Sequence, residues 1–262
     1  ITQIWSKAMK KVWFDEAIGI PSYIDVENNE VYWDERGHPD YSGIRLFQDI
    51  KQLYAHEDGM LDEEPMYFTC GRVALEKDRS LFYENHVAYE YTVIPAKSVR
   101  GECNKTYGHI HGVHPKTGKR RLEAFEILNG TGGFQLFKER EAGVFDCLCI
   151  LLEKGDRMVV PSDYFHLSFN DSKTEPFIFA DLIKDDVETV YSYVKEKNGA
   201  PYRVFYGENT CRFQLNEHWK DCTAYLQVYK AKEIPWSSPL TENSLYAAFV
   251  REPKMVTKLL EG

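Results

Sequence analysis

The chain has 262 residues, of which 43% are apolar and 14% aromatic, which is enough to bury a large core and excludes extensive disorder. It carries 41 acidic against 32 basic residues, a net charge of −9, which argues against nucleic acid or an anionic membrane surface as partner. No apolar run approaches a bilayer span, and the first twenty residues lack the apolar block of a secretory signal, so we expect a cytoplasmic protein.

Residues 1–66 are heterogeneous in composition, with tryptophans and acidic clusters. One amphipathic helix is predicted over residues 43–55, because Ile44, Phe47, Ile50 and Tyr54 recur at helical spacing. We interpret this first part of the chain as a cover that packs on another element.

Residues 67–184 have a different texture, with short alternating segments rich in Val, Ile, Phe and Tyr, separated by Gly, Pro, Asn and Asp. This pattern predicts a mainly β sandwich or barrel. The candidate strands are YEYTVIPA, KTYGHIHG, EAFEILN, GFQLFKE, VFDCLCILLE, RMVVPS, FHLSFN and FIFADLI. The turn NGTGG between the third and fourth is a hairpin signal, because Asn and Gly tolerate positive φ.

Residues 185–262 form a third part, for which we expect an extension that covers the barrel or builds a subunit contact. The segment 187–200 is predicted to be helical up to an Asn-Gly stop, and segments 202–215 and 223–233 to contain strands. The segment 238–253 is typical of a short capped helix closed by Pro253.

The six cysteines are scattered and show no CxxC pair. A chain of this length does not need disulfides to fold, so we expect six reduced thiols. Cys147 and Cys149 lie two apart in a predicted strand and should share one face as small apolar groups.

A group of histidines and glutamates in the middle of the chain has the composition of a metal site. His109 and His111 are two apart and so point the same way in a strand. Alternation alone leaves open whether Glu123 or Glu126 faces inward, since each shares its face with apolar neighbours. Isolated histidines elsewhere, such as His38 and His218, are interpreted as surface or core residues.

The spacing of these residues resembles the first of the two cupin motifs. His109, His111, Glu123 and Gly130 match its later members, whereas Cys103 stands where its opening glycine usually falls. The spacer between His111 and Glu123 is longer than is common in cupins, which places a loop at the mouth of the site.

The second cupin motif is matched by Gly155, Pro161, His166 and Asn170, with Asp163 in place of a usual glycine. The resemblance implies a single cupin barrel, or double-stranded β-helix, with N-terminal and C-terminal extensions. It also implies that His109, His111, Glu123 and His166 hold one divalent metal. Three imidazoles and a carboxylate suit Fe²⁺, Mn²⁺, Ni²⁺ or Zn²⁺.

Within the cupins, the chain is most similar to the cupin-type glucose-6-phosphate isomerases, over roughly residues 44–202. The stretches KTYGHIHG, EAFEILNGTGG, PSDYFH and TEPFIFADLI carry this resemblance. It implies that Thr92, Thr106 and Gly108 contact a sugar phosphate, and it matches Tyr191 less closely to a further family tyrosine. Two family tyrosines are replaced here, by Phe125 and Ile183, which puts some sugar contacts in doubt.

The loop between His111 and Glu123 is a second candidate source of contacts to the substrate. His114 precedes a proline and is interpreted as a loop residue that could touch substrate. Lys116, Lys119, Arg120 and Arg121 are usual for a solvated loop, but beside the site they could attract a phosphate. Lys105 and Arg100 share this ambiguity.

The resemblance implies an isomerase of glycolysis or gluconeogenesis that interconverts glucose 6-phosphate and fructose 6-phosphate, with Glu123 as metal ligand and candidate base. We expect the protein to bind a small sugar phosphate and to form a homodimer. An Fe²⁺-dependent cupin dioxygenase is the first alternative, because it can use the same ligand set. A sugar-phosphate-binding cupin without turnover is the second.

Overall fold

Strands dominate the part of the chain that the structure, a computed structural model, describes: residues 11–14, 19–25, 28–208, 210–234 and 244–262. Residues 1–10 of the predicted cover and residues 238–243 of the predicted C-terminal helix lie outside it. The strands are β1 (Lys11–Trp13), β2 (Ser22–Asp25), β3 (Glu30–Trp33), β4 (Gly37–His38), β5 (Tyr41–Leu46), β6 (Pro65–Gly71), β7 (Ala74–Leu75), β8 (Val87–Ile94), β9 (Ser98–Val99), β10 (Glu102–Cys103), β11 (Ile110–His111), β12 (Glu123–Asn129), β13 (Thr131–Glu141), β14 (Val144–Glu153), β15 (Arg157–Val160), β16 (Phe165–Asn170), β17 (Phe177–Lys184), β18 (Thr189–Val190), β19 (Tyr202–Phe205), β20 (Arg212–Leu215) and β21 (Thr223–Lys230).

Helices are short in this part of the chain. The α-helices are α1 (Phe47–Ile50), α2 (Arg79–Asn85), α3 (Ser192–Glu196), α4 (Leu245–Arg251) and α5 (Pro253–Leu260), and 3-10 turns lie at Lys51–Leu53, Glu76–Asp78, Glu217–Trp219 and Ala231–Glu233. None of the helices in the described ranges combines the length and hydropathy that crossing a bilayer requires.

Two sheets with long strands, called here the larger sheets, form the body of the fold. One has six strands in the order β15-β12-β17-β8-β6-β5, and the other has four in the order β16-β13-β14-β21. A second four-stranded sheet, in the order β20-β19-β10-β9, consists of shorter strands. Strand pairs in both larger sheets are antiparallel, except that β21 runs parallel to β14. The C-terminal extension therefore adds a strand to the edge of the four-stranded larger sheet.

The two larger sheets share one apolar core. Phe125 and Phe179 from the six-stranded sheet and Phe134 from the four-stranded sheet are at most 3% exposed and belong to one cluster. The ring centroids of Phe134 and Phe179 are 5.1 Å apart. Face-to-face packing of two mainly antiparallel sheets agrees with the expected mainly β jelly roll of the cupins.

The opposite face of the six-stranded sheet is covered by the C-terminal helices. Ala124 of β12 and Leu182 of β17 alternate with the inward residues of their strands and pack with Leu245 and Phe249 of α4. Helix α4 begins as expected, with the Ser244 side chain accepting a hydrogen bond from the Ala247 backbone at 3.1 Å. These contacts give the end of the chain a structural role.

The prediction of a helix over residues 43–55 is wrong for its first part. Residues up to Leu46 form strand β5, which pairs with β6, and helix begins only at Phe47. Ile44 of the proposed apolar stripe is 59% exposed. The helical spacing of these apolar residues does not decide the structure here. The segment forms a strand because the edge of β6 offers backbone hydrogen-bond partners that a local helix would leave unused.

The hairpin predicted at NGTGG is also wrong. Strands β12 and β13 flank it but belong to different sheets. Gly130 has a φ of 75°, and a side chain there would lie 2.4 Å from the Pro176 carbonyl oxygen. Glycine is therefore needed for the turn, but the turn carries the chain across the core, because Phe125 and Phe134 bury their rings against each other at 4.6 Å.

The other predicted strands coincide with β8 and with β12 through β17 within a few residues. The predicted strand KTYGHIHG is regular only at β11, and the helix predicted over residues 187–200 is limited to α3, which a short strand, β18, precedes. The three-part division at residues 66 and 184 stays a prediction, although β5 shows that the first part contributes to the large sheet.

Candidate metal centre and substrate cavity

The four residues of the predicted metal site come together at one end of the space between the larger sheets. Glu123 opens β12, His166 is the second residue of β16, and His111 ends β11. His109 is held by His166 through two backbone hydrogen bonds of 2.9 Å. The distant motifs thus meet through pairing of the segment around residue 109 with β16.

The side chains of this group surround a common point. Glu123 Oε2 lies 2.7 Å from His111 Nε2, 3.0 Å from His166 Nε2 and 3.9 Å from His109 Nε2. One ligand atom from each residue lies within 4.8 Å of all the others. His111, Glu123 and His166 are at most 7% exposed, so the group is largely shielded from bulk solvent.

Three imidazole nitrogens in this group are buried without hydrogen-bond partners among the described residues: Nδ1 of His111, and Nδ1 and Nε2 of His166. A buried polar atom left unpaired is costly. Of these three, His166 Nε2 faces Glu123 and would be satisfied by coordination to an ion, and the three-imidazole, one-carboxylate set suits Fe²⁺, Mn²⁺, Ni²⁺ or Zn²⁺. The residues therefore fit a single divalent metal.

Glu123 and His109 are each held in the protonation state that coordinates a metal. Burial alone would raise the pKa of Glu123, but the neighbouring His111 and His166 outweigh it and hold that pKa well below its usual range. Burial, with His166 beside it, lowers the pKa of His109 well below its usual range. An ionised carboxylate and a neutral imidazole are the forms that bind metals.

The metal centre opens into a cavity of about 410 Å³. The residues that the resemblance assigned to the substrate, Thr92, Thr106, Gly108 and Tyr191, all line it. The Tyr191 ring contacts the His109 ring, with centroids 5.8 Å apart. The structure thus brings every predicted substrate residue to the same cavity as the four metal ligands.

The segment around Thr106 is fixed by β16. The Thr106 N–H donates to the Ser168 carbonyl at 2.9 Å, and the Ser168 N–H donates to Thr106 Oγ1 at 3.0 Å. Gly108 has a φ of 84°, and a side chain there would lie 2.8 Å from Leu167 Cβ. Glycine lets this segment approach β16 closely, which places Thr106 on the cavity wall.

The two positions where family tyrosines are replaced also line the cavity. Phe125 is 2% exposed and contacts the His166 ring at 5.9 Å. Ile183 is opposite Glu123 in the β12–β17 register. Both side chains are apolar here, so this wall of the cavity offers van der Waals contacts where the family pattern has tyrosine hydroxyl groups that can form hydrogen bonds.

The basic loop does not line the cavity, contrary to the possibility that it attracts the phosphate. Arg121 is 3% exposed and donates to both carboxylate oxygens of Asp186, at 2.9 and 2.7 Å. Arg120 donates to the His111 carbonyl, and Lys119 to the Gly262 carbonyl. These cations are used to hold the loop. His114 lies 3.7 Å from Asp186 and is likewise outside the cavity.

Lys105 and Arg100 do not line the cavity either, and each is paired with an acidic side chain. Lys105 is buried in an ion pair with Glu102 and donates to the Leu53 carbonyl at 2.9 Å. Arg100 pairs with Asp58 at the surface.

Five charged residues of the cavity were not predicted from the sequence: Arg45, Glu90, Asp181, Lys184 and Asp185. Asp181 faces Glu90 on one neighbouring strand and Phe125 on the other. Burial, and then the nearby Glu123, raise the pKa of Asp181 well above its usual range. A signal was present, since Asp181 is the acidic residue at an inward position of the otherwise apolar FIFADLI.

The chain resembles known proteins in sequence and in fold. The family model for glucose-6-phosphate isomerase (GPI) matches residues 44–220. A comparison with curated proteins found no match.

Solved structures with similar regions include an oxalate oxidase, 17% identical over 42% of this chain and 48% of that one, with a TM-score of 0.32. Oxalate decarboxylase from Bacillus subtilis is 16% identical over 48% of this chain and 27% of its own, also at 0.32. A cupin-2 domain protein from Rhodospirillum rubrum is 10% identical over 47% of this chain and 62% of its own, at 0.31. This chain thus spans less than two thirds of each of these proteins. Because the family model matches well over half of the chain, the protein belongs to the cupin-type glucose-6-phosphate isomerase (GPI) family.

Proposed function

We propose that this protein interconverts glucose 6-phosphate and fructose 6-phosphate with the help of one divalent metal. The observation that carries the proposal is the single cavity in which the four ligand residues and Thr92, Thr106, Gly108 and Tyr191 meet. Its volume of about 410 Å³ is in the range of pockets that enclose a small ligand.

His109, His111, Glu123 and His166 would hold the metal. When bound, it would act as a Lewis acid on the carbonyl and hydroxyl oxygens at the two reacting carbons. As one of the four residues that would hold the ion, Glu123 is the carboxylate that we place next to the reacting carbons.

The reaction needs one proton to leave C2 and one to be added to C1, while the C1 carbonyl becomes a hydroxyl and the C2 hydroxyl becomes a carbonyl. We assign the proton transfer to Glu123, the ionised carboxylate of the site. Direct transfer of hydride from C2 to C1 is the alternative, and it needs no base.

At the other end of the substrate, Thr106 Oγ1 and the backbone of the Gly108 segment are proposed to bind the phosphate. Their attachment to Ser168 fixes them before the substrate arrives. A substrate held at both ends has its reacting carbons positioned at the metal centre. We also propose that the protein acts as a cytoplasmic homodimer.

The test is a coupled isomerase assay with glucose 6-phosphate on protein loaded in turn with Fe²⁺, Mn²⁺, Ni²⁺ and Zn²⁺, beside an oxygen-uptake assay on the Fe²⁺ form. Isomerisation supports the proposal. Oxygen uptake without isomerisation would assign the protein to the dioxygenases, and sugar-phosphate binding without either would make it a non-catalytic cupin.

A reaction in D₂O separates the two proton-transfer routes. Transfer through Glu123 predicts deuterium at C1 of fructose 6-phosphate, because the carboxylate exchanges its proton with solvent. Transfer of the C2 hydrogen to C1 without uptake of deuterium would assign the step to a hydride shift and leave Glu123 as a ligand only.

A further inference from the structure

The cavity wall contains one arginine, Arg45, which lies on the edge strand β5 of the six-stranded sheet, directly opposite Tyr67 of β6. The polar groups that interact with its guanidinium are first the Tyr67 hydroxyl and then Tyr191 and Asp49. Among the described residues, no carboxylate oxygen lies within 4.0 Å of its nitrogens. Its charge is thus not neutralised by a close ion pair.

Lys184, the other cation that lines the cavity, differs in this respect. Its Nζ donates to the Asn85 carbonyl at 2.6 Å and lies 3.9 Å from Asp186. Its side chain is 6% exposed. Lys184 is thus held by protein groups. Arg45 is the cavity cation whose N–H groups are not paired with a carboxylate among the described residues, so they can donate to a ligand.

Arg45 is connected to the segment that is proposed to bind the phosphate. The Tyr67 hydroxyl interacts with the guanidinium and also with the backbone N–H of Tyr107. Tyr107 lies between Thr106 and Gly108 in the chain. Arg45, Tyr67 and the Thr106–Gly108 segment also line the same cavity, so a phosphate bound at that segment would share the cavity with the Arg45 guanidinium.

The register of the sheet separates Arg45 from the acidic groups of the cavity. Glu90 and Asp181 face each other across β8 and β17. Arg45 lies beyond β6, on the edge strand of the same sheet. The cavity is thus acidic toward the metal ligands and basic at the opposite edge.

We propose that Arg45 is the residue that selects a phosphorylated substrate, by pairing with the phosphate that Thr106 and Gly108 contact. This inference rests on the proposed function, and it adds the charged group that recognises the phosphate. A guanidinium can donate two parallel hydrogen bonds to a phosphate, and Tyr67 holds it toward the cavity. Glu90 and Asp181, which line another part of the cavity wall, offer polar groups suited to sugar hydroxyls.

Two variants and a matched control test the proposal by steady-state kinetics and calorimetry on metal-loaded protein. Arg45→Gln should weaken binding of glucose 6-phosphate, and raise its KM, by about tenfold to a hundredfold, because a hydrogen-bonded charge pair is lost. Binding of glucose and metal content should stay as in wild type. Arg45→Lys, which keeps the charge and loses the fork, should fall between. Arg140→Gln removes the same charge from a side chain that is 55% exposed and should change neither value.

A KM of Arg45→Gln within about twofold of wild type would overturn the assignment. Chemical modification of the wild-type protein by phenylglyoxal gives a readout that does not depend on a variant folding. Inorganic phosphate and glucose 6-phosphate should protect Arg45, but not Arg140, while glucose should protect neither. Equal modification of Arg45 with and without phosphate overturns the proposal. Protection in a protein that does not isomerise glucose 6-phosphate would support the Arg45 site and refute the proposed function.

Discussion

If the four residues of the metal centre bind a divalent metal, that metal should stabilise the folded protein against thermal unfolding. His166→Ala should remove most of this stabilisation. His166 is 4% exposed, and its Nε2 lies 3.0 Å from Glu123 Oε2 without a hydrogen bond of good geometry. Metal-free protein therefore buries a poorly paired ring nitrogen beside a carboxylate, and ion binding at that nitrogen reduces the cost.

The magnitude follows from linkage. A metal at 100 times its Kd stabilises the folded protein by about 2.7 kcal/mol, which raises Tm by roughly 5–11 °C in a domain of this size. Loss of an outer hydrogen-bond partner weakens metal binding by about tenfold to a hundredfold, and loss of a direct ligand should cost at least as much. At the same metal concentration, a hundredfold weaker site leaves about 0.4 kcal/mol, or roughly 1–2 °C.

The assay is thermal unfolding with chelator and with each metal, combined with elemental analysis. The quantity compared is the metal-dependent change in Tm, because His166→Ala also lowers the Tm of the metal-free protein. His218→Ala, at a side chain that is 43% exposed, is the matched control and should keep the full shift. The reasoning is refuted if no metal raises the Tm of the wild-type protein, or if His166→Ala keeps the wild-type shift and occupancy.

Three further predictions concern the substrate contact, the thiols and a buried carboxyl. Thr106→Val should lower kcat/KM for glucose 6-phosphate by about tenfold to a hundredfold and leave metal content unchanged, as kinetics and elemental analysis can check; wild-type kcat/KM would remove Thr106 from the site. All six cysteines are free in the structure, so titration of freshly unfolded, non-reduced protein should find six thiols, and four or fewer would contradict the expected reduced state. Burial raises the pKa of Glu126, which accepts hydrogen bonds from Tyr89 and the Leu245 backbone. The folded protein therefore holds this proton more tightly than the unfolded chain, and the associated stability is lost as pH rises through the carboxyl range. Glu126→Gln should remove that loss, so denaturant unfolding should show the stability of the variant rising relative to wild type from about pH 4 to about pH 7; a constant difference would show that Glu126 has no raised pKa.

The grouping of His109, His111, Glu123 and His166 was predictable because each cupin motif is a local pattern with fixed spacing. Alternation placed His109 and His111 on one face, and the motif selected Glu123 over Glu126. The structure gives the physical reason for that choice, since Glu123 faces the core between the sheets, whereas Glu126 faces the C-terminal helices.

Arg45, Glu90 and Asp181 were not predictable in the same way. They lie on three different strands, and only the register of β5, β6, β8 and β17 brings them to one cavity. The sequence also left open, for a related reason, whether the basic loop is solvated or attracts the phosphate. The charge of the loop is visible in the sequence, but its pairing with Asp186, 65 residues along the chain, is not.

The mainly β composition, most strand positions, the two motifs and the candidate metal-binding residues were predictable from the sequence, because these depend on side chains that are close in the chain. Strand pairing became clear only from the tertiary structure, as the turn at Gly130 shows, where a local hairpin signal gave way to burial of Phe125 against Phe134. The tertiary structure also decided which charges face the cavity. Backbone pairing and burial between distant segments outweigh local preference there, since the free energy gained by closing an apolar core exceeds what a two-residue turn can contribute.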